Sequence, residues 1–278
     1  YAYWCKDWDA DFSYYASKVS KLGFEVFEVN ADAIMNMSDT ARQNLKDLVK
    51  KENLEMTFCM GLANKYDISV ADESIRRRGI EYLKRIIEVV SKMGGQKLSG
   101  ILYGAWNPVL PEGDFNKAAF TERSVKSMKE VIKTAENSGV YCNVEVVNRF
   151  EQFILNTCEE ALNYIKMVDS SNIKILLDTY HMNIEEDTIG GAIIKAGNKL
   201  GHLHIGENNR NLPGQGGHIL WDEVLSAIKE INYEGNIVME PFIMPGGEVG
   251  RDIKVWRDMS IGIDFDKKAK EALIFISP

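Results

Sequence analysis

The sequence alternates short apolar runs with longer segments of helical periodicity, and this alternation restricts the fold more than any other feature. Segments such as Asp11–Leu22 and Ser38–Glu52 carry apolar residues on one face, with a capping residue or a glycine at an end. Around these helices we predict eight strands, at residues 1–4, 24–29, 55–60, 97–102, 142–147, 173–177, 200–205 and 236–239. Strands separated by helices pair in parallel, so the pattern predicts an α/β protein.

The number of βα units predicts a single (β/α)8 TIM barrel over residues 1–278, with extra helical pieces at its C-terminal end. The chain begins at Tyr1 and not at Met, so we expect Tyr1–Trp4 to be the end of a truncated first strand. An open, doubly wound sheet is the alternative architecture. That alternative is weakened because the glycine-rich fingerprint of dinucleotide-binding sheets does not follow the first predicted strand.

Composition argues against several kinds of partner. The net charge is −8, and binding to nucleic acid or an anionic membrane needs clustered Lys and Arg, so we expect neither partner. Apolar runs in the sequence are too short to span a bilayer. The four cysteines are scattered without metal-binding spacing, which indicates a reducing compartment, and we expect a cytoplasmic protein.

Acidic or imidazole side chains follow four successive predicted strands, about one βα unit apart: Glu145, Asp178, His204 and Glu240. Any one of them alone is more readily explained as a helix cap or a salt bridge. Because the carboxyl ends of barrel strands meet at one rim, we expect the four together to bind one divalent metal ion per chain. Three carboxylates and one imidazole suit Mn(II), Co(II) or Mg(II), whereas structural zinc sites prefer thiolates.

Two further histidines lie next to these candidate ligands. His202 and His204 are two residues apart on one strand and therefore share a face. His204 is nearer the carboxyl end and is the expected ligand, while His202 is expected in the core or in contact with a ligand. His181 follows Asp178 by three residues, and we expect it in a loop that meets a substrate.

Four motifs resemble the ketose 3-epimerases, in particular the D-psicose (D-allulose) and D-tagatose 3-epimerases of the xylose isomerase-like barrels. They are NVEVVNRFE at 143–151, LDTYHMNIEE at 177–186, GHLHIGENNR at 201–210 and MEPF at 239–242. The resemblance extends over nearly the whole chain and implies a homodimer or homotetramer that uses Mn(II) or Co(II). By match of motif it implies the same four metal ligands.

The resemblance also implies a set of residues that contact the sugar. Glu151, His181 and Arg210 match substrate-contacting positions, and Trp8 and Trp106 match aromatic residues that line the sugar pocket. Each has a structural alternative. For Arg210 it is a loop salt bridge with the nearby glutamate at position 207, and for the two tryptophans it is core or dimer packing.

The implied reaction is metal-dependent epimerisation of a free ketose at carbon 3, of the D-fructose/D-psicose or D-tagatose/D-sorbose type, through a cis-enediolate. Inversion needs a proton-transfer group on each face of that planar intermediate, and Glu145 and Glu240 are the expected pair. Segments Cys59–Ala63 and Pro213–His218 depart from the family's pattern, so the preferred ketose stays open.

Three other functions compete with this one. An aldose–ketose isomerase on the same barrel would use the same enediolate chemistry and move the carbonyl. A trinuclear zinc phosphodiesterase would need more than the four histidines present and a basic groove. A sugar-binding barrel without catalysis would have no need of two opposed glutamates.

Overall fold

The strands form one parallel sheet that curls into a nearly closed barrel. The computed structural model describes residues 1–110, 112–113 and 115–277 of the chain. In that part of the chain the strands are β1 (Val26–Asn30), β2 (Glu55–Leu62), β3 (Lys97–Ala105), β4 (Tyr141–Glu145), β5 (Ile173–Asp178), β6 (Leu200–Ile205) and β7 (Asn236–Met239). Each strand pairs in parallel with the next along the chain, in the order β1 to β7. The predicted α/β barrel class is confirmed.

Helices follow the strands and cover the outside of the sheet. They are α1 (Phe12–Leu22), α2 (Ala31–Asn36), α3 (Asp39–Lys51), α4 (Glu73–Lys92), α5 (Lys117–Ser138), α6 (Cys158–Val168), α7 (Thr179–Glu185), α8 (Ile189–Ala196), α9 (Trp221–Glu230), α10 (Gly247–Asp252) and α11 (Phe265–Ile276). The last two are the predicted C-terminal helical pieces. The apolar faces of α1 to α9 and the strands share one large buried core, while α11 and α10 contribute to two smaller buried clusters. No helix among the described residues is both long enough and apolar enough to cross a membrane.

The prediction of a strand at Tyr1–Trp4 is wrong. These residues form a turn, in which the Trp4 amide donates to the carbonyl of Tyr1 at 2.9 Å. The apolar character that suggested a strand serves aromatic packing instead: the Tyr1 ring meets Phe12 at 5.1 Å, and the Tyr3 ring meets Phe265 at 5.0 Å. The described sheet therefore has seven strands instead of eight, and β1 and β7 approach each other without pairing.

Strand register brings the predicted ligands to one rim. Asp178, the last residue of β5, is the direct register partner of His204 on β6. Glu145 ends β4 and is paired with Leu176. Glu240 follows β7, and its amide donates to the carbonyl of Ile205 at 3.0 Å. Because all strands run the same way, these side chains lie at the carboxyl end of the barrel.

Candidate active site

The four predicted metal ligands converge. One ligand atom from each of Glu145, Asp178, His204 and Glu240 lies within 4.8 Å of the others. His204 Nδ1 is 3.5 Å from Glu240 Oε1 and 3.8 Å from Glu145 Oε1. Asp178 and His204 are completely buried, Glu145 is nearly so, and the Glu240 side chain is 23% exposed toward the cavity. Of the four side chains, that of Glu240 is the most exposed.

The chemistry of this cluster fits a divalent cation. His204 Nδ1 is buried and has no hydrogen-bond partner in the described part of the chain, which is unfavourable for a nitrogen that faces carboxylates. Burial, together with the nearby Glu240, raises the pKa of Glu145 well above its ordinary value. A cation held by His204 Nδ1 and the three carboxylates would use the free nitrogen and offset the repulsion among the acids.

Arg210 lies beside the cluster and supplies positive charge to it. Its Nη1 donates to Asp178 Oδ2 at 2.6 Å and to Glu240 Oε2 at 2.8 Å. Burial alone would lower the pKa of Arg210, but these two carboxylates raise it. The salt bridge with Glu207 is not formed, because Glu207 accepts hydrogen bonds from the Gly214 amide and the Trp221 side chain, both at 2.8 Å. Arg210 is thus a residue of the site.

Arg210 is held in an unusual backbone conformation. Its φ of 63° lies in the left-handed region, which non-glycine residues seldom adopt. The guanidinium carbon lies 4.0 Å from the centre of the Tyr180 ring, at cation–π distance. Strain of this kind is kept where the surrounding structure fixes a functional side chain.

His181 lies on a helix, and the prediction of a loop at this position is wrong. The Asp178 carboxylate accepts from the Tyr180 amide at 2.8 Å and starts helix α7 directly after β5. The Asn148 amide donates to His181 Nδ1 at 3.1 Å, and Arg210 Nη2, which can only donate, lies 3.1 Å from Nε2. That nitrogen lies 3.7 Å from Glu145 Oε1. Burial and the adjacent Arg210 lower the pKa of His181 to about 3, so the ring is neutral at neutral pH.

The remaining predicted substrate residues line a cavity of about 840 Å³ above the cluster. Trp106 Nε1 donates to Glu151 Oε2 at 2.9 Å, and Asn148 Nδ2 donates to Glu151 Oε1 at 3.0 Å. Trp8 Nε1 donates to Asp252 at 3.0 Å, and the two indole rings meet edge to face at 6.3 Å. Both tryptophans therefore face the cavity as well as pack against other residues.

Sequence reasoning missed Glu28 of β1. Its Oε1 lies 2.7 Å from His204 Nε2, its Oε2 lies 2.8 Å from His202 Nε2, and Thr57 Oγ1 donates to Oε2 at 2.9 Å. His202 is completely buried in the barrel, as predicted. The signal for Glu28 was present, because it is a carboxylate inside the apolar run Val26–Val29, the same pattern that singled out Glu145.

The chain shares this architecture with proteins of known families. Residues 16–259 match the family described as xylose isomerase-like TIM barrel. A D-psicose 3-epimerase of Ruminiclostridium cellulolyticum is 43% identical over 278 residues, which cover 99% of this chain and 94% of the relative. A D-psicose 3-epimerase of Enterocloster bolteae is 42% identical over 280 residues, covering 99% and 92%.

A solved structure agrees with these sequence matches. The crystal structure of D-psicose 3-epimerase with D-tagatose from Clostridium cellulolyticum H10 matches with a TM-score of 0.95 at 42% identity, over 99% of this chain and 96% of that one. The chain therefore belongs to the xylose isomerase-like TIM barrel family. Within it the chain groups with the ketose 3-epimerases, which makes it an enzyme of the isomerase class, and the predicted resemblance is confirmed.

Proposed function

We propose that the protein epimerises a free ketose at carbon 3, of the D-fructose/D-psicose or D-tagatose/D-sorbose type, with one divalent metal ion per chain. The observation that carries the proposal is the pair Glu145 and Glu240, two carboxylates that both approach His204 Nδ1 at the floor of a cavity of about 840 Å³. The relatives named D-psicose 3-epimerase support the substrate class.

Glu145, Asp178, His204 and Glu240 would hold the metal, with Mn(II) as the first choice and Co(II) or Mg(II) as alternatives. When bound, the cation supplies a Lewis acid that stabilises the negative charge that develops on the sugar as the carbon-3 proton leaves. Hard oxygen ligands with one imidazole support this choice of ions.

The two glutamates would exchange protons with carbon 3 from opposite faces of the sugar. Burial raises the pKa of Glu145. Burial would also raise the pKa of Glu240, but His204 and Arg210 outweigh it and lower that pKa. Unlike proton affinities suit a pair in which one group donates while the other accepts, with roles that swap for the reverse reaction.

Neighbouring residues would bind and orient the substrate. Arg210 and His181 both line the cavity, and we assign them to the oxygens at carbons 1 and 2. Glu151 is fixed by hydrogen bonds from Asn148 and Trp106, which prepares it to accept from a sugar hydroxyl. Trp106, with Trp8, would cover the apolar face of the sugar and exclude water.

The test is to incubate Mn(II)-loaded protein with D-fructose, D-psicose, D-tagatose and L-ribulose in heavy water and to follow the products by NMR. We expect a carbon-3 epimer that carries deuterium at carbon 3. The variants Glu145→Gln and Glu240→Gln should lose turnover at matched metal content. An aldose product would favour the isomerase alternative, and appreciable epimerisation by both variants would overturn the assignment of the glutamates.

We also propose that the enzyme is a homodimer or homotetramer of the cytoplasm. Large apolar side chains on the surface, such as Phe150, Trp256 and Ile261, with 73%, 76% and 80% exposure, support self-association. All four cysteines are free thiols, as in a reducing compartment. Light scattering at micromolar concentration gives the molar mass, and a monomer would contradict the proposal.

A further inference from the structure

Glu28 connects two histidines in the interior of the barrel. Glu28 lies on β1, whereas His202 and His204 both lie on β6, and His204 is 176 positions from Glu28 in the sequence. Each carboxylate oxygen serves a different ring: Oε1 lies 2.7 Å from His204 Nε2 and Oε2 lies 2.8 Å from His202 Nε2. Thr57 Oγ1 occupies a further acceptor position of Oε2 at 2.9 Å.

The 2.7 Å distance between Glu28 Oε1 and His204 Nε2 is that of a direct hydrogen bond between an imidazole N–H and a carboxylate. His202 Nε2 lies at ion-pair distance from Oε2 but makes no hydrogen bond within the described part of the chain. An ion ligated by all three side chains would have to lie between nitrogen and oxygen atoms that are already in contact, so the Glu28–His204 pair is better explained as a hydrogen bond than as part of a second metal site.

The consequence for His204 concerns its two ring nitrogens. An ionised carboxylate can only accept, so the nitrogen that faces Glu28 must carry the proton. With the proton and the hydrogen bond on Nε2, the lone pair of Nδ1 is free and points at the centre of the ligand cluster. Nδ1 is also the buried nitrogen that has no hydrogen-bond partner among the described residues.

We propose that Glu28 is a positioning residue that fixes the ring orientation and the Nε2–H form of His204, and so presents Nδ1 to the divalent metal. The proposal rests on the metal site of the proposed function. Carboxylates that accept from the second nitrogen of a metal-bound histidine typically increase metal affinity about 10- to 100-fold. Thr57 Oγ1 holds the Glu28 carboxylate in place from another direction through its hydrogen bond to Oε2.

The first experiment observes the proton itself. In ¹⁵N-labelled protein, with and without diamagnetic Mg(II), we expect a strongly downfield, slowly exchanging proton correlated with His204 Nε2. The assignment is simple because the chain has only four histidines. In Glu28→Leu, which removes both acceptor oxygens, this proton should exchange rapidly and shift upfield. An unchanged proton in that variant would overturn the proposal.

The second experiment measures Mn(II) binding by the loss of the free-ion EPR signal. Glu28→Leu should weaken binding about 10- to 100-fold. Glu28→Gln keeps one acceptor oxygen and should fall between the parent and Glu28→Leu. If Glu28→Leu does not fold, Glu28→Ala, which also removes both acceptor oxygens, carries both measurements. Binding within threefold of the parent in a folded variant that has lost the Glu28 acceptors would contradict the proposal.

A matched control is available one strand away. Glu55 of β2 accepts from Lys97 Nζ at 3.1 Å and from Asn236 Nδ2 at 2.9 Å and contacts neither histidine. Glu55→Gln should therefore keep the parent's Mn(II) affinity. If the parent protein itself binds no Mn(II), the proposed function fails, whereas the Nε2–H measurement still decides whether Glu28 orients His204.

Discussion

Buried carboxylates define the chemistry inside this barrel, because the charges around them differ. Glu28 faces two imidazoles, Asp178 and Glu240 share the guanidinium of Arg210, and Glu145 has neighbours of its own sign. An isolated buried charge is strongly unfavourable, so removal of one partner affects all the others.

Arg210→Met tests this coupling. The variant leaves Asp178 Oδ2 and Glu240 Oε2 without their cation, and we expect the metal-free protein to lose about 3–5 kcal/mol of unfolding free energy. Saturating Mn(II) should restore part of the loss, because it returns positive charge to the same carboxylates. Urea denaturation with and without Mn(II) measures both quantities.

The control for this variant is Arg149→Met. Arg149 pairs with Glu185 at 2.7 Å, but its side chain is 65% exposed, so we expect a much smaller loss than for Arg210→Met. Equal losses of unfolding free energy in the two variants would show that burial does not strengthen the contribution of Arg210.

The raised pKa values of two buried thiols predict how slowly they react at pH 8. Burial raises the pKa of both Cys142 and Cys158 to about 12, so at pH 8 almost none of either thiol is in the reactive thiolate form. We expect both to remain unlabelled by iodoacetamide while the partly exposed Cys5 reacts. Peptide mass spectrometry after timed quenching measures each site. In urea all of them should react, and rapid labelling of Cys142 in the native protein would contradict the prediction.

At the scale of residues, the sequence predicts charge but not every contact. Glu145 is recognisable because ligand-type residues follow the next three strands at similar spacing and a family motif surrounds it, while Glu28 has the same strand context but neither of these signals. Asn148 lies inside the motif at 143–151, but its amide reaches His181 only because α7 begins directly after β5. Contacts between residues far apart in the chain depend on strand register, which local patterns do not contain.

Elements whose ends carry chemical signals are predicted well. Thr157 and Glu160 form a capping box at the start of α6, and the Thr-x-x-Glu spacing that marks it is visible in the sequence. Helix α7 was missed because Asp178 ends a strand and caps a helix at once, which leaves no loop to mark the boundary. The strand expected at Tyr1–Trp4 was wrong because aromatic packing produces the same apolar pattern as strand pairing.

The capping box makes a direct prediction about α6. Thr157→Ala removes the side-chain acceptor for the Glu160 amide, and we expect a loss of about 0.5–2 kcal/mol in the free energy of unfolding. Thr157→Ser keeps the hydroxyl and should restore most of it. Urea denaturation of the two variants measures these losses as shifts of the midpoint at unchanged slope. A serine variant as unstable as the alanine variant would contradict the capping role.

A glycine in β3 makes a second element-scale prediction. Gly100 has φ 115°, and a Cβ there would lie 2.0 Å from the Met60 carbonyl oxygen of β2. Gly100→Ala should lose about 2–5 kcal/mol from strain and overpacking. Gly139 also has positive φ (67°) but has open space around it, so Gly139→Ala should lose only about 1–2 kcal/mol. Equal losses in the two variants would contradict the prediction, because they would mean that the close contact between Gly100 and β2 adds nothing to the cost of the alanine.

At the scale of the whole molecule, we propose that residues 1–278 unfold as one unit and that metal binding stabilises it. A ligand that binds only the native state adds about 4 kcal/mol at a free concentration of 1,000 times its Kd. Calorimetry should show one transition that moves to higher temperature with Mn(II) and returns after chelation. Two separate transitions, of which only one responds to Mn(II), would contradict the single unit.

The unpaired junction between β1 and β7 bears on the order in which the molecule folds. Every strand pair joins sequence neighbours, whereas the contacts that bring the two ends of the sheet together span most of the chain, as in the Trp4–Asp266 hydrogen bond between residues 262 positions apart. Long loops close late, because their entropy loss comes before any reward from contact. Glu28 and Glu240 stand on either side of that junction, so a chain that has assembled most of its strands still lacks a complete site. We therefore expect enzyme activity to return only in the last step of refolding, and partly folded chains to be inactive.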